Sequence, residues 1–274
     1  MSEIAGRNIL VTGGASGIGR LMALKMARLG GSLILWDIDA GKMSSVLQEL
    51  RDLRGGGLAR GFLCDVSDRS RVYETADTVR AEVGDVHVLV NNAGIVTGRS
   101  LLDIPDERIE ATFAVNTLAL FWTTKAFLPR MMERNSGHIV TIASAAGLIG
   151  APRLADYSAS KWAAVGFDES LRAELRRMAP GVKTTVVCPY YVDTGLFAGA
   201  RTRFPFLLPI LKEDWVAERI VSAIRRDRRR LWMPRMVYTV PFLRIFPVWL
   251  FDAVASFLGI NASMEEFVGR EGRH

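Results

Sequence analysis

Near its start the chain passes from a short apolar run, Asn8 to Thr12, through Thr12-Gly13-Gly14-Ala15-Ser16-Gly17-Ile18-Gly19 into a helix-period segment, Ile18 to Leu29. This junction constrains the fold more than any other feature. Glycines between a strand and a helix let backbone approach a pyrophosphate at the helix N-terminus, an arrangement that belongs to the carboxyl end of a parallel sheet. An acid completes the pattern, because Asp37 lies 18 residues beyond Gly19 at the end of the next apolar run, where a carboxylate can hold a ribose.

The alternation continues along the chain. Strands are predicted at Asn8 to Thr12, Ser32 to Trp36, Ala59 to Cys64, Val86 to Asn91, His138 to Ala143, Lys183 to Cys188 and Leu231 to Met233. Helical patterns cover Ile18 to Leu29, Lys42 to Arg54, Arg69 to Val83, Asp106 to about Arg134, Tyr157 to Met178 and Asp214 to Arg225. Continuous apolar runs separated by helices are what strands buried on both faces produce. Gly30, Gly31, Gly55 to Gly57 and Gly137 punctuate the joins. The expected fold is α/β, one doubly wound domain over 1–235 with a mostly parallel seven-stranded sheet, and an apolar C-terminal extension over 236–274.

Composition removes several function classes. A chain of 274 residues with 49% apolar and 23% charged side chains can bury a large core, which excludes disordered and collagen-like readings. The net charge is +6, yet only six of the 35 basic residues are Lys, and the Arg225 to Arg230 cluster has no accompanying aromatic repeat or zinc spacing. Nucleic acid is therefore not an expected partner. Cys64 and Cys188 end apolar runs and are expected as buried thiols, while His87, His138 and His274 form no ligand-spaced group, so no metal is expected. Met1 to Gly6 is too short and polar for a signal peptide or anchor, and a reducing cytoplasm is the expected compartment.

Asp37 also bears on cofactor choice. Its carboxylate suits two ribose hydroxyls, whereas a 2′-phosphate would meet like charge there and at Asp39. Ser16 occupies a loop position where a Lys or Arg would assist a phosphate, so NAD is expected over NADP, with Arg20 the nearby cation. Farther along, Tyr157 and Lys161 stand four apart in a helical pattern and share one face. A neighbouring ammonium stabilises phenolate, which is expected to bring the tyrosine towards proton exchange with an alcohol or carbonyl oxygen. Alone such a pair is a common surface feature, but Ser144 lies just past the fifth strand, at the edge where ligands bind.

Thr12 to Gly19, Asn91-Asn92-Ala93-Gly94, Asn116, Ser144 and Tyr157-Ser158-Ala159-Ser160-Lys161 occur in order, with Tyr157 13 residues after Ser144. Together they resemble the short-chain dehydrogenase/reductase family, over about Arg7 to Pro234. The resemblance implies a Rossmann fold and an NAD(P)-dependent enzyme acting on CH–OH groups by direct hydride transfer. Carried over residue by residue, it makes Tyr157 the acid/base and Ser144 the group orienting the substrate oxygen. Lys161 would hold the nicotinamide ribose and Asn116 a water leading to Lys161. Gly13, Ser16, Gly17, Ile18 and Gly19 would meet the pyrophosphate, and Asp65 and Val66 the adenine. Asn92, Ala93 and Gly94 would line the cofactor's course, with Val192 and Thr194 at the carboxamide.

One departure follows Cys188-Pro189, where the family usually has glycine and this chain has Tyr190-Tyr191. These rings are expected either to narrow the substrate pocket or to pack under the loop. The substrate lid, about 195–225, is strongly apolar from Gly195 to Lys212 and favours a lipophilic secondary or allylic alcohol and its carbonyl. The chain also resembles the branch containing retinol and 17-beta-hydroxysteroid dehydrogenases. A catalytically weak nucleotide-sensing protein on the same fold is the alternative. Between Val237 and Ile260 only Arg244 and Asp252 are charged, but Pro241 and Pro247 interrupt the run. That segment is expected either to cover the pocket or a subunit interface, or to make peripheral contact with a membrane. The family implies a homodimer or homotetramer built on the helical segments Asp106 to Arg134 and Tyr157 to Met178.

Overall fold

In the computed structural model, which describes residues 3–53 and 57–269, every predicted apolar run is a strand. They are β1 Asn8–Thr12, β2 Ser32–Asp37, β3 Ala59–Leu63, β4 Val88–Asn91, β5 Gly137–Ile142, β6 Val182–Pro189 and β7 Arg230–Met233. They form one seven-stranded sheet in the order β3-β2-β1-β4-β5-β6-β7. Every pairing between these strands is parallel, where a mostly parallel sheet was expected. Arg54, Gly55 and Gly56, with Arg270 and His274, lie outside the described residues.

Helices cover both faces because alternate strand residues point opposite ways. Ile9, Val11, Leu33 and Leu35 pack against α1 (Gly17–Arg28), α2 (Ala40–Arg51) and, farther along, α7 (Glu213–Arg225). Leu10, Ile34 and Trp36 face the other way, towards α3 (Arg69–Glu82), α5 (Ala119–Glu133) and α6 (Ala155–Met178). The order reverses between β1 and β4, so the loops leaving these strands diverge and open a crevice at the carboxyl edge.

One helix differs from expectation. The segment predicted as a single helix from Asp106 is α4, Asp106–Phe113, then one π turn, Ala114–Leu118, then α5. Apolar periodicity over so long a stretch cannot register a single wide turn, and π turns of this kind often sit at functional positions.

Beyond β7 the chain forms a 3-10 segment, Arg235–Thr239, then α8 Val240–Leu243 and α9 Val248–Phe257. Among the described residues no helix is long and apolar enough to cross a membrane. Phe242 (61%), Ile245 (77%), Val248 (75%) and Trp249 (70%) are exposed here. The Arg225 to Arg230 cluster is close in sequence but not on the same side. As a crossover between parallel strands, α7 runs back to the amino edge, where Arg230 starts β7. The extension leaves from the carboxyl edge after Met233.

Candidate active site

At the crevice the loops after β1 and β4 are tied together. The Thr12 hydroxyl oxygen accepts the backbone N–H groups of Asn92 (3.0 Å) and Ala93 (3.1 Å), while Asn92 Nδ2 donates to the carbonyls of Thr12 (2.9 Å) and Gly13 (3.1 Å). Gly13 has a φ of +63°, and a Cβ there would lie 3.0 Å from the Ala93 Cα. A Cβ on Gly19 would lie 2.2 Å from the Gly13 carbonyl oxygen. The loop therefore forms a cradle that side chains would fill, and Ser16 begins α1 without a side-chain capping bond. A helix N-terminus so placed suits a pyrophosphate.

Asp37 closes one end of the crevice. Its Oδ2 accepts the Ala15 N–H (2.9 Å) and its Oδ1 the Asp39 N–H (3.1 Å), which fixes the carboxylate with lone pairs to spare. Arg20, the nearby cation, is committed elsewhere, because it forks onto both carboxylate oxygens of Glu49 on α2. Asp39 differs as well: it accepts the Lys42 N–H at the start of α2 and pairs with the Lys42 ammonium at 2.7 Å. That pairing holds its carboxyl below the usual range and weakens its repulsion of a phosphate.

At the other end stand Ser144, just past β5, and Tyr157 and Lys161 on α6. Tyr157 is buried with Phe197 edge-on at 5.5 Å. Burial pushes its phenol up, and a hydrogen bond with Ser144 pulls in the opposite direction. The expected lowering by Lys161 is therefore not the governing effect. The Lys161 ammonium lies 5.7 Å from the tyrosine ring centroid and donates to the Ile142 carbonyl (2.9 Å), and burial pushes its own pKa down to about 8. Ser144 Oγ accepts the Ala146 N–H at 3.1 Å.

Asn116 sits in the π turn. Its Nδ2 donates to the Ile95 carbonyl (2.9 Å) and to Ser160 Oγ (3.0 Å), and its Oδ1 accepts the Ile95 N–H (2.9 Å). A Cβ on Gly94 would lie 3.3 Å from that Oδ1 and 3.4 Å from the Lys161 Nζ. Asn116 thus braces the loop after β4 against α6.

One cleft of about 250 Å³ joins these parts. Gly13, Ser16, Gly17, Ile18 and Asp37 line it at one end, with Asp65 and Val66 beside them. Asn92, Ala93 and Gly94 run along its middle. Ser144, Tyr157, Lys161, Tyr190, Val192 and Thr194 line the other end. Gly19, Asn116 and Tyr191 stand outside this lining. For Tyr191 that is a correction of a substrate-contacting position: its ring is buried under the loop with Leu154 and Met264, and its hydroxyl meets Ser263 Oγ at 2.8 Å.

Residues 7–203 match the family model described as short chain dehydrogenase. The chain belongs to that family. This short-chain dehydrogenase is 46% identical over 271 residues to epidermal retinol dehydrogenase 2 of Mus musculus, covering 98% of this chain and 87% of the mouse protein. A short-chain dehydrogenase/reductase from Burkholderia phymatum, solved with NAD, superposes with a TM-score of 0.80 at 30% identity, over 89% of this chain and 95% of that one. An alcohol dehydrogenase from Thermococcus sibiricus, solved with 5-hydroxy-NADP, gives 0.73 at 28% identity, over 83% and 94%. The short-chain dehydrogenase is accordingly an alcohol dehydrogenase/reductase that uses a nicotinamide cofactor, NAD or NADP.

Three residues in or behind the site had no role assigned from sequence. Thr12 joins the two loops, and Ser160 links Asn116 to the Tyr157 carbonyl, to which its hydroxyl donates at 2.7 Å. Phe197 covers Tyr157 from the lid. Ser160 was readable in principle, since the residue before Lys161 turns off the catalytic face of α6 and must meet whatever packs there.

Proposed function

We propose that this protein is an NAD-dependent oxidoreductase interconverting a lipophilic secondary or allylic alcohol and its ketone or aldehyde, with Tyr157 as acid/base. The observation that carries the reading is that one cleft runs from the glycine cradle and Asp37 to Ser144, Tyr157 and Lys161. A nicotinamide cofactor, when bound, supplies hydride exchange with the substrate carbon. The Tyr157 phenolate takes the alcohol proton during oxidation, and the phenol gives it to the carbonyl oxygen during reduction, while Ser144 holds the same oxygen. With the cofactor bound, the Lys161 ammonium would hold the ribose and favour the Tyr157 phenolate. The residues lining the Tyr157 end include Ile95, Leu196 and Phe197, which supports an apolar substrate. Retinol, an allylic alcohol on an apolar chain and the substrate named for the mouse relative, is the first compound to assay with NAD and NADP separately.

The NAD preference rests on Asp37 and on the commitment of Arg20 to Glu49. Asp37→Ala is expected to weaken NAD binding about tenfold, the worth of a charge-assisted hydrogen bond, and to relieve the discrimination against NADP. Titration of both cofactors against both proteins checks this, and tighter NADP binding by the unaltered protein overturns the preference.

We further propose a cytoplasmic protein, peripheral at a membrane surface that the exposed side chains of 237–260 contact. Arg203 and Arg244, each within 6 Å of two aromatic rings, are placed to meet lipid head groups beside them. Because the Arg225 to Arg230 cluster lies at the other edge, vesicle binding is expected to depend on the apolar contact and to fall only modestly with salt. Trp249→Glu should abolish co-sedimentation with phosphatidylcholine/phosphatidylserine vesicles. Retention of binding by that variant overturns the contact. A homodimer or homotetramer is proposed through α4, α5 and α6, where Leu118, Phe121 and Trp162 are exposed.

A further inference from the structure

We propose that the substrate extends beyond the catalytic cleft into a neighbouring groove and carries there an anionic group, a carboxylate in the simplest case, that Arg99 meets. The inference rests on the alcohol-oxidising reading and deepens it by naming the far end of the molecule. The groove holds about 330 Å³ and lies between the loop after β4 and the closing segment 267–269. That is room for a substantial part of a small ligand. Gly94 and Ile95 from the loop and Leu196 from the lid line both the groove and the cleft, so the two spaces meet on opposite walls at once. They meet at the reacting end, since Phe267 of the groove approaches Phe197, the ring that covers Tyr157, at 6.4 Å.

The walls are fixed in place. Gly98 has a φ of +71°, and a Cβ there would lie 2.0 Å from Phe267 Cε1, so the loop and the closing segment touch where only a glycine admits the ring. The N–H groups of Val268 and Gly269 both donate to the Ala198 carbonyl in the lid, at 2.9 and 3.2 Å. Arg153 Nη1 donates to the carbonyls of Met264 (2.9 Å) and Glu265 (2.8 Å). On the loop side the Thr97 hydroxyl donates to the Asp156 carboxylate at 2.8 Å, which ties the groove to the residue before Tyr157.

The chemistry of the groove changes along its length. Ile95, Val96, Leu196 and Phe267 make an apolar passage that suits the body of a lipophilic alcohol. Thr97, Arg99 and Arg108 are its polar side chains, and among the described residues no carboxylate lines it. Arg99 follows Gly98 directly, is exposed, and stands four residues on from Ile95, within ~14 Å of it along the chain. A hydrocarbon end gains nothing from that guanidinium. A carboxylate gains a fork of two charge-assisted hydrogen bonds.

The test uses the full chain with NAD and compares 11-hydroxydodecanoate with 2-dodecanol, which share the reacting carbinol and the length of the carbon chain and differ in the carboxylate. The unaltered protein is expected to turn over the hydroxy acid with the higher kcat/KM, by a ratio that shrinks as salt rises. Arg99→Gln should lower that ratio about fivefold, the upper worth of an exposed ion pair, and Arg99→Lys should restore part of it. Val96→Trp, which places an indole in the passage, should lower kcat/KM for both long alcohols at least fivefold relative to 2-butanol. If turnover is present and Arg99→Gln leaves the ratio unchanged, the far end lies elsewhere, and the groove is overturned while the alcohol-oxidising reading stands. If neither long alcohol is oxidised, equilibrium dialysis with radiolabelled 11-hydroxydodecanoate decides. Binding that Arg99→Gln weakens keeps the groove and removes the alcohol-oxidising reading, and no binding, or binding indifferent to Arg99, overturns the groove.

Discussion

Tyr157→Phe is expected to cut turnover of a lipophilic alcohol by roughly 10²- to 10⁴-fold while leaving the dissociation constant of NAD within about twofold. The change removes the exchanging hydroxyl and keeps the ring, which packs with Leu154, Ala200 and Met264 and meets Phe197 edge-on. The glycine cradle and Asp37 line the far end of the cleft and make no contact with that hydroxyl. Single-turnover kinetics with a saturating alcohol separates the two effects. Retention of more than about a tenth of the rate would falsify the assignment of Tyr157 as acid/base.

The second large effect is expected at Gly19. A methyl group there would stand 2.2 Å from the Gly13 carbonyl oxygen and 2.6 Å from Asn92 Nδ2. The first neighbour is backbone and cannot swing aside, so Gly19→Ala must open the loop and part the Asn92 amide from the carbonyls of Thr12 and Gly13. Overpacking of this kind costs about 1 to 3 kcal/mol of stability. NAD binding should fall by more than tenfold, since the displaced loop forms the cradle itself. Thermal melting with and without NAD checks both, and a variant whose Tm still rises on adding NAD as the unaltered protein's does would contradict the geometry.

Much of the sheet was legible because its inner strands are buried on both faces and read as continuous apolar runs bounded by polar turns, whereas the edge strand β3 is half exposed and carries Arg60. β1 has the predicted limits, and the other strands differ by a residue or two at their ends, where hydrogen bonding rather than composition decides the boundary. The residues named for the cleft were legible because spacing along a helix or at a strand end maps directly onto position. Three things were not. The π turn interrupts a helical pattern without altering its polarity. Tyr190 and Tyr191 pack with ring centroids 4.5 Å apart, yet only Tyr190 lines the cleft, while the Tyr191 hydroxyl is tied to Ser263 beneath the loop, a difference that neighbouring identical residues do not reveal. The arginine cluster lies close in sequence to the apolar extension, yet β7 runs between them from one edge of the sheet to the other.

A π turn holds one residue more than an α turn, so Ala114–Leu118 carries a surplus residue in the middle of an otherwise regular helix. Losing one residue there lets the segment close into a regular α-helix, which keeps α4 and α5 in phase and leaves Thr123, Phe127 and Met131 anchored in the core. What such a deletion removes is the wide turn itself, and with it the position from which Asn116 reaches Ile95 and Ser160. Across descendants of this sequence, a shortening by one residue between α4 and α5 should therefore go with loss of that brace while the core around α5 is kept.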